Sequence, residues 1–471
     1  MASLGKTLWL LVGATALIAL AKGAVAASHG LLADEAYYWV WSQHLAWGYY
    51  DQPPAIAWVI RVTTALGHTP LAVRLGALIA GLAPLLTLRF AGDRGLWVLW
   101  WAGVPPLLWL TLFATSDAPL LLGWTATLAG ALAGGPWWLL AGAGAALAGL
   151  SKYSGLAALP LAILAAGPAS WRSRWPWLGL ALALGLIAPH LRWLAGHEAV
   201  SVQFQLGEGW MSPRAPGWVG IPQQLGDQLL VVGPLTAMAG LVWAVAVAGR
   251  LWRERWDQGL RARVERTAWL SSVPIFAFFA LSAVGGPPEA HWTAPGLVGL
   301  GLGLSWAGPR LRRAVEVGLW LGVLASLALV AHAWTPVLSL PPGKDPAARL
   351  GEGAALGPWV GAWARPAGAA LDQRGGDAIP VLTERYQEAA LIAWETGLPA
   401  SVLPGCGRGS QYDLWAEGAL PARALFVRPR TSGDPTCTEE AFPRLEGPAE
   451  LEGRDAHGRL VGRWQLFELA R

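Results

Sequence analysis

Asp34, Asp117, Lys152 and His291 stand out in a chain otherwise poor in charge. Asp34 opens the run Ala33-Asp34-Glu35-Ala36-Tyr37-Tyr38-Trp39-Val40-Trp41. There it reads as a helix N-cap, since a short acid accepts from free backbone N–H groups and complements the helix dipole. It also reads as a general base, which needs a carboxylate within hydrogen-bond reach of an attacking group. Asp117, in Thr115-Ser116-Asp117-Ala118-Pro119, is again a good helix start, and an acid beside a membrane is by default a functional candidate. Lys152 is the only lysine between positions 22 and 344. It reads either as a snorkelling residue at a helix end or as a compact charge for a phosphate. His291, in Pro287-Pro288-Glu289-Ala290-His291-Trp292-Thr293, suits a loop or a ligand equally. There is no P-loop, GxSxG, HExxH or Cys/His metal spacing, so the signal is the convergence of these four residues.

The elements that must position them are membrane helices. Of 471 residues, 54% are apolar and 14% charged, against about 25% charged in soluble domains, and the mean hydropathy is +0.41. The net charge of +4 lies in short basic clusters between apolar runs, which speaks against nucleic-acid binding. Spans of roughly 20 apolar residues are expected at about 7–27, 71–91, 96–113, 118–134, 137–151, 153–168, 176–194, 225–249, 268–284, 294–307 and 315–335. A single helix over 137–168 would hold Lys152 at mid-membrane, at about 2.5–3.5 kcal/mol. Two short helices sharing a turn at Lys152 avoid that. With the N-terminus inside, fourteen Lys and Arg, from Lys6 to Arg313, fall in inner segments. The outer loops between spans hold only Arg61, Lys152, Arg192 and Arg214. The first span leads into ten more and is read as an uncleaved helix. No internal repeat is visible.

An odd number of spans puts residues 336–471 outside. This stretch is polar and rich in Pro and Gly, with strands expected at Ile379–Thr383, Ser401–Leu403 and Ala424–Arg428 and a helix at Tyr386–Gly397. Both cysteines, Cys406 and Cys437, lie here, where an external compartment permits a disulfide, the other reading being two thiols. Residues 28–70 form the first outer loop, with two interfacial helices; Tyr37, Tyr38, Trp41 and Leu45 share one face of the first. The loop at 195–224, with Gln203, Gln205 and Glu208, reads as a gate or a connector. The expected fold is a mainly α polytopic membrane protein (1–335) with a small C-terminal α/β extracytoplasmic domain (336–471).

Asp34-Glu35-Ala36-Tyr37-Tyr38-Trp39 followed by Gly48-Tyr49-Tyr50-Asp51-Gln52-Pro53-Pro54 resembles the first external loop of the GT-C membrane glycosyltransferases. More narrowly it resembles the bacterial branch of the aminoarabinose lipid A transferase and the protein O-mannosyltransferases. Ala72-Val73-Arg74-Leu75, Ser116-Asp117-Ala118-Pro119, Gly149-Leu150-Ser151-Lys152-Tyr153, Glu289–Pro295 and Ser410-Gln411-Tyr412-Asp413-Leu414-Trp415 extend the likeness along the chain. The resemblance implies sugar transfer, usually with inversion, from a polyprenyl-phosphate donor to a lipid, glycan or protein acceptor at the outer face of a bacterial inner membrane. Asp34 would be the base, Asp117 the second acid, and Lys152 the partner of the departing phosphate. Glu35, Tyr50, Asp51, Gln52, Arg61, Arg74, His291 and Gln205 are the candidate substrate contacts. At Gln52 relatives commonly carry His or Lys; Gln offers hydrogen bonds without charge. The resemblance assigns no certain cofactor and leaves a divalent cation open, for which Asp34 and Asp117 would be the acids. The competing class is a lipid or sugar transporter or flippase, expected to show two related halves with broken helices. A third is an inactive scaffold that keeps the fold.

Overall fold

The computed structural model describes residues 13, 17–210, 217–254, 256–284, 288–336, 338, 340–341, 345–365, 378–416, 419–431, 437 and 442–471. Lys6, Arg214 and Arg255, counted in the charge bias, lie outside them. Among the described residues, Pro70–Phe90, Arg174–Gly196, Pro234–Arg253 and Pro309–Trp334 are long and apolar enough to cross a membrane. Leu17–Ser28 with Ala33–Gln43 would make a fifth if the pair is one broken span. The other expected spans are shorter or interrupted, at identifiable places. The 96–113 run breaks into Arg94–Gly103 and Pro105–Leu110, where Pro105 has no N–H to continue the ladder. The 225–249 run breaks at Gly233, whose φ of 88° no helix accommodates. The loop expected at 195–224 is largely helical: Val200–Phe204 runs into a π-turn at Gln205–Trp210, and a helix resumes at Gly217.

The chain forms two compact units. One comprises Met1–Ala26, Ala46–Val59 and Arg74–Ala328, the other Ala27–Leu45, Ile60–Val73 and Leu329–Arg471. A division at 335/336 does not coincide with them, because the Ala33–Gln43 helix packs on the Tyr386–Thr396 helix. Trp39 meets Trp394 edge-on at 5.1 Å there.

In the first unit, Asp117–Ala133 and Trp138–Ser151 form an antiparallel helical hairpin, turned by Gly134 and Gly135 at positive φ. The two helices approach closely because glycines face each other: a Cβ on Gly123 would lie 2.5 Å from the Gly144 carbonyl oxygen. The Trp138–Ser151 helix meets Arg174–Gly196 in the same way, a Cβ on Gly142 falling 2.1 Å from the Gly179 carbonyl oxygen. Small residues allow such contact where no hydrophobic force separates helix from lipid.

The second unit carries a five-stranded sheet: β1 (Val381–Thr383), β2 (Ala400–Val402), β3 (Arg423–Pro429), β4 (Arg444–Arg454) and β5 (Leu460–Ala470). Its order is β2-β1-β3-β5-β4, with β1 parallel to β2 and β3, and β5 antiparallel to β3 and β4. Strand alternation builds two cores. Val381, Leu425 and Val427 pack with Leu356, Val360 and Ile392; Leu382, Ala424 and Phe426 pack with Leu403 and Phe442 on the other face. On that second face Cys406 and Cys437 are joined by a disulfide. The β4–β5 hairpin and the Glu352–Ala364 helix were not expected from sequence. Exposed polar and charged positions along β4 hide its period-2 signal.

Two expectations about the first outer loop are corrected. The helix ends at Gln43, so Leu45 lies beyond it and is 55% exposed rather than sharing the buried face of Tyr37 and Trp41. Leu32 is the N-cap, not Asp34, and the Leu32 N–H is taken by the Glu35 carboxylate at 3.0 Å. Glu35, fully buried, does the capping that Asp34 was expected to do.

Candidate functional site

The helical hairpin brings the N-terminus of one helix beside the C-terminus of the other, and the two charges follow from that. Asp117 stands in the first turn of its helix and Lys152 is the C-cap of its own. Each complements the dipole of its own helix end. The Lys152 Nζ donates to both Asp117 carboxylate oxygens, at 2.7 and 2.8 Å. The Asp117 side chain is 3% exposed and that of Lys152 14%. His291, in the 3-10 turn Ala290–Thr293, reaches the Asp117 carboxylate at 3.7 Å. Lys152 is therefore not a free snorkelling lysine; it neutralises a buried acid.

Around this triad the first unit holds a polar chain. His190 Nδ1 lies 2.7 Å from the Trp47 carbonyl, which can only accept, so Nδ1 carries the proton. In the neutral ring Nε2 then accepts from the Tyr153 hydroxyl at 3.2 Å, and Tyr153 bonds Ser201. The Gln205 amide donates to the Asp51 carbonyl at 2.8 Å, and Tyr50 meets the Phe204 ring at 5.6 Å. Gln52 closes the same loop, its carbonyl accepting from the Tyr49 N–H at 3.2 Å. Arg74 is fully buried, donating to the Ala26 carbonyl at 3.1 Å and lying over the Phe113 ring.

The second unit holds Asp34, whose carboxylate accepts from the Tyr386 hydroxyl at 3.1 Å. Tyr386 stacks beside Tyr37, whose own hydroxyl accepts from the Gln411 N–H at 2.6 Å. Arg385 pairs with Glu388, and Arg408 lies over the Tyr386 ring. Arg61, in the last turn of Ala55–Thr63, is exposed. Among the described residues no group of three or more His, Cys, Asp or Glu could hold a metal ion.

Glu352 belongs to this charge network. Burial pushes its carboxyl up to about 7, with Glu388 and Asp34 adding and Arg349 and Arg385 opposing. The folded protein then holds a proton that the unfolded chain releases near 4.5. This contribution to stability is full below that value and is lost as pH rises through about 7. The thermal midpoint of purified protein is expected to fall between about pH 5 and 8, and Glu352→Gln to flatten the fall by about 1–3 kcal/mol equivalent. An unchanged slope in the variant would remove Glu352 from the titration.

Sequence inspection missed Tyr386, His190 and Lys22. Tyr386 lies 352 residues from its partner, and nothing local marks it. His190 and Lys22 carried a usable signal, a polar group inside an apolar run. Lys22 is spent on the Thr111 hydroxyl and carbonyl.

With this geometry in hand, the likenesses are specific. Residues 51–193 match the dolichyl-phosphate-mannose-protein mannosyltransferase family, a stretch that contains Asp117 and Lys152. The lipid A galacturonosyltransferase RgtD of Rhizobium johnstonii is 31% identical over 295 residues, covering 56% of this chain and 58% of that protein. The chain thus spans little more than half the length of that curated relative. The crystal structure of ArnT from Cupriavidus metallidurans bound to undecaprenyl phosphate superposes with a TM-score of 0.64 at 14% identity, covering 98% of both chains. The apo ArnT structure gives 0.61, covering 99% of this chain and 98% of that one. The fold is that of ArnT: the mainly helical body and the small C-terminal sheet belong to it.

Proposed function

We propose that this GT-C chain transfers a sugar from a polyprenyl-phosphate donor to a lipid-borne acceptor at the outer face of a bacterial inner membrane. The observation that carries the reading is the buried Lys152–Asp117 pair with His291 beside it. Ionised groups inside an apolar hairpin are costly, and they are kept where chemistry needs them. This hairpin lies in the stretch that matches the mannosyltransferase family. The solved ArnT complex with undecaprenyl phosphate and the name of RgtD support a polyprenyl-phosphate donor and a lipid A acceptor.

In the proposed reaction an acceptor hydroxyl attacks the anomeric carbon, the bond from that carbon to the phosphate oxygen breaks, and polyprenyl phosphate leaves with the electron pair. Asp34 takes the hydroxyl proton, and the sugar inverts. The phosphate is already a competent leaving group, so the protein's part is positioning and charge balance. Lys152 supplies positive charge for the phosphate, His291 a hydrogen bond, and Asp117 holds Lys152 in place. Arg61, Gln52, Tyr50, Asp51 and Gln205 are proposed substrate contacts. The test is transfer from a radiolabelled polyprenyl-phosphate sugar to lipid A by purified protein in detergent. Failure across a panel of hexose, pentose and uronic acid donors would refute the reading.

We further propose eleven spans, residues 1–335 as the membrane domain, and residues 336–471 outside. A reporter active only in the cytoplasm, fused after Arg471, is expected to be silent. A strong signal would reverse the orientation and with it the outer-face assignment.

A further inference from the structure

The Ser410–Trp415 segment, with the Gln411–Trp415 turn, has no part in the transfer chemistry above, yet it walls one of the larger cavities of the second unit. This space, about 850 Å³, lies between the C-terminal half of the Ala33–Gln43 helix, the β1–β2 edge and Trp415. It is separate from Asp34. Trp39 stands five residues on, about 8 Å along the helix axis and turned some 140° around it.

Three features of its wall constrain what fits. First, aromatic rings line it: Trp39, Tyr412 and Trp415. Trp39 is held edge-on by His68 and Trp394, and Trp415 packs edge-on against Tyr412 and tilted against His44, so these rings are fixed before anything binds. Second, Gln43, His44 and Ser401 add hydrogen-bonding groups, while among the described residues no Asp, Glu, Lys or Arg lines the space. Third, Tyr412 is 4% exposed and its hydroxyl has no hydrogen-bond partner among the described residues. A buried hydroxyl left unmatched costs about 1–3 kcal/mol, and a ligand hydroxyl would recover that.

Rigid aromatic faces suit the C–H faces of a pyranose, and the polar groups suit its hydroxyls. Among the described residues the lining offers no cation to meet a phosphate or a uronate, and an acyl chain would leave the Tyr412 hydroxyl unmatched. We infer that this cavity is a binding site for an uncharged saccharide, an exosite that holds a neutral sugar of the acceptor away from the reacting centre. Its link to the acceptor rests on the glycosyltransferase reading; the saccharide site itself does not. Binding energy gathered at such a remote site lowers KM for acceptors that carry the sugar.

The test uses the full chain in nanodiscs and saturation-transfer NMR with lactose, cellobiose and maltose as probes. Galacturonic acid and dodecanoate serve as charged and acyl comparators. At least one neutral disaccharide is expected to receive saturation, with loss of the signal in Trp415→Ala and weakening in Tyr412→Phe. Because Tyr412→Phe removes only an unmatched hydroxyl, its thermal midpoint should equal or exceed wild type; a purely structural hydroxyl would lower it. Asp34→Asn should bind the disaccharide as wild type does. No binding by any neutral probe, equal binding by both cavity variants, or displacement of the sugar by dodecanoate would overturn the site. Sugar binding without any transferase activity would sink the proposed function and leave the site standing. Transfer without sugar binding would do the reverse.

Discussion

Asp34→Asn is expected to lower transfer turnover by about 10²–10⁴-fold, the usual share of general base catalysis. The amide keeps the side-chain volume and an oxygen that accepts from Tyr386, now at 3.1 Å, but it cannot take a proton. Folding should be untouched, since the cap at this helix is made by Glu35 and not by Asp34. That separation makes the variant clean: a loss of turnover with an unchanged thermal midpoint is chemical, not structural. Tyr386→Phe should give a smaller loss, because it removes the hydrogen bond that orients the carboxylate and leaves the base itself. Near wild-type transfer by Asp34→Asn would strip Asp34 of the role, and the base would have to be sought at Asp51 or Asp117.

Lys152→Ala should damage stability and activity together, through different atoms. Asp117 would keep only His291, at 3.7 Å, against a carboxylate that is 3% exposed. Removing one partner of a buried pair typically costs about 3–5 kcal/mol, because the remaining charge is left without compensation. The double variant Asp117→Asn, Lys152→Ala removes both charges from the hairpin and should recover most of that loss. It should not recover transfer, since the positive charge proposed for the phosphate is gone. The measurements are thermal midpoint and transfer rate on the two single variants and the double. Recovery of both properties in the double variant would reduce the pair to a structural fixture and would remove Lys152 from the reaction.

The membrane class, the polar character of the tail and the identity of Asp34, Asp117 and Lys152 as residues of interest were legible from the chain alone. Each depends on local information: apolar run length, charge clustering, or an ionisable group in an apolar stretch. Those signals hold because water or lipid acts on each segment directly, whatever the segment later packs against.

What only the tertiary structure decided are the partners. Lys152 meets Asp117 across 35 positions because Gly123 and Gly144 let two helices close into a hairpin. Asp34 is bound by Tyr386 and not by its own helix, and the cap falls to Glu35 instead. Arg74, which the resemblance offers as a substrate contact, is buried against the Ala26 carbonyl and the Phe113 ring. A side chain's type is written in the sequence, but the partner it meets is set by close packing between segments far apart in the chain. Whether a charge is spent inside the fold or left for a substrate is therefore decided by tertiary structure.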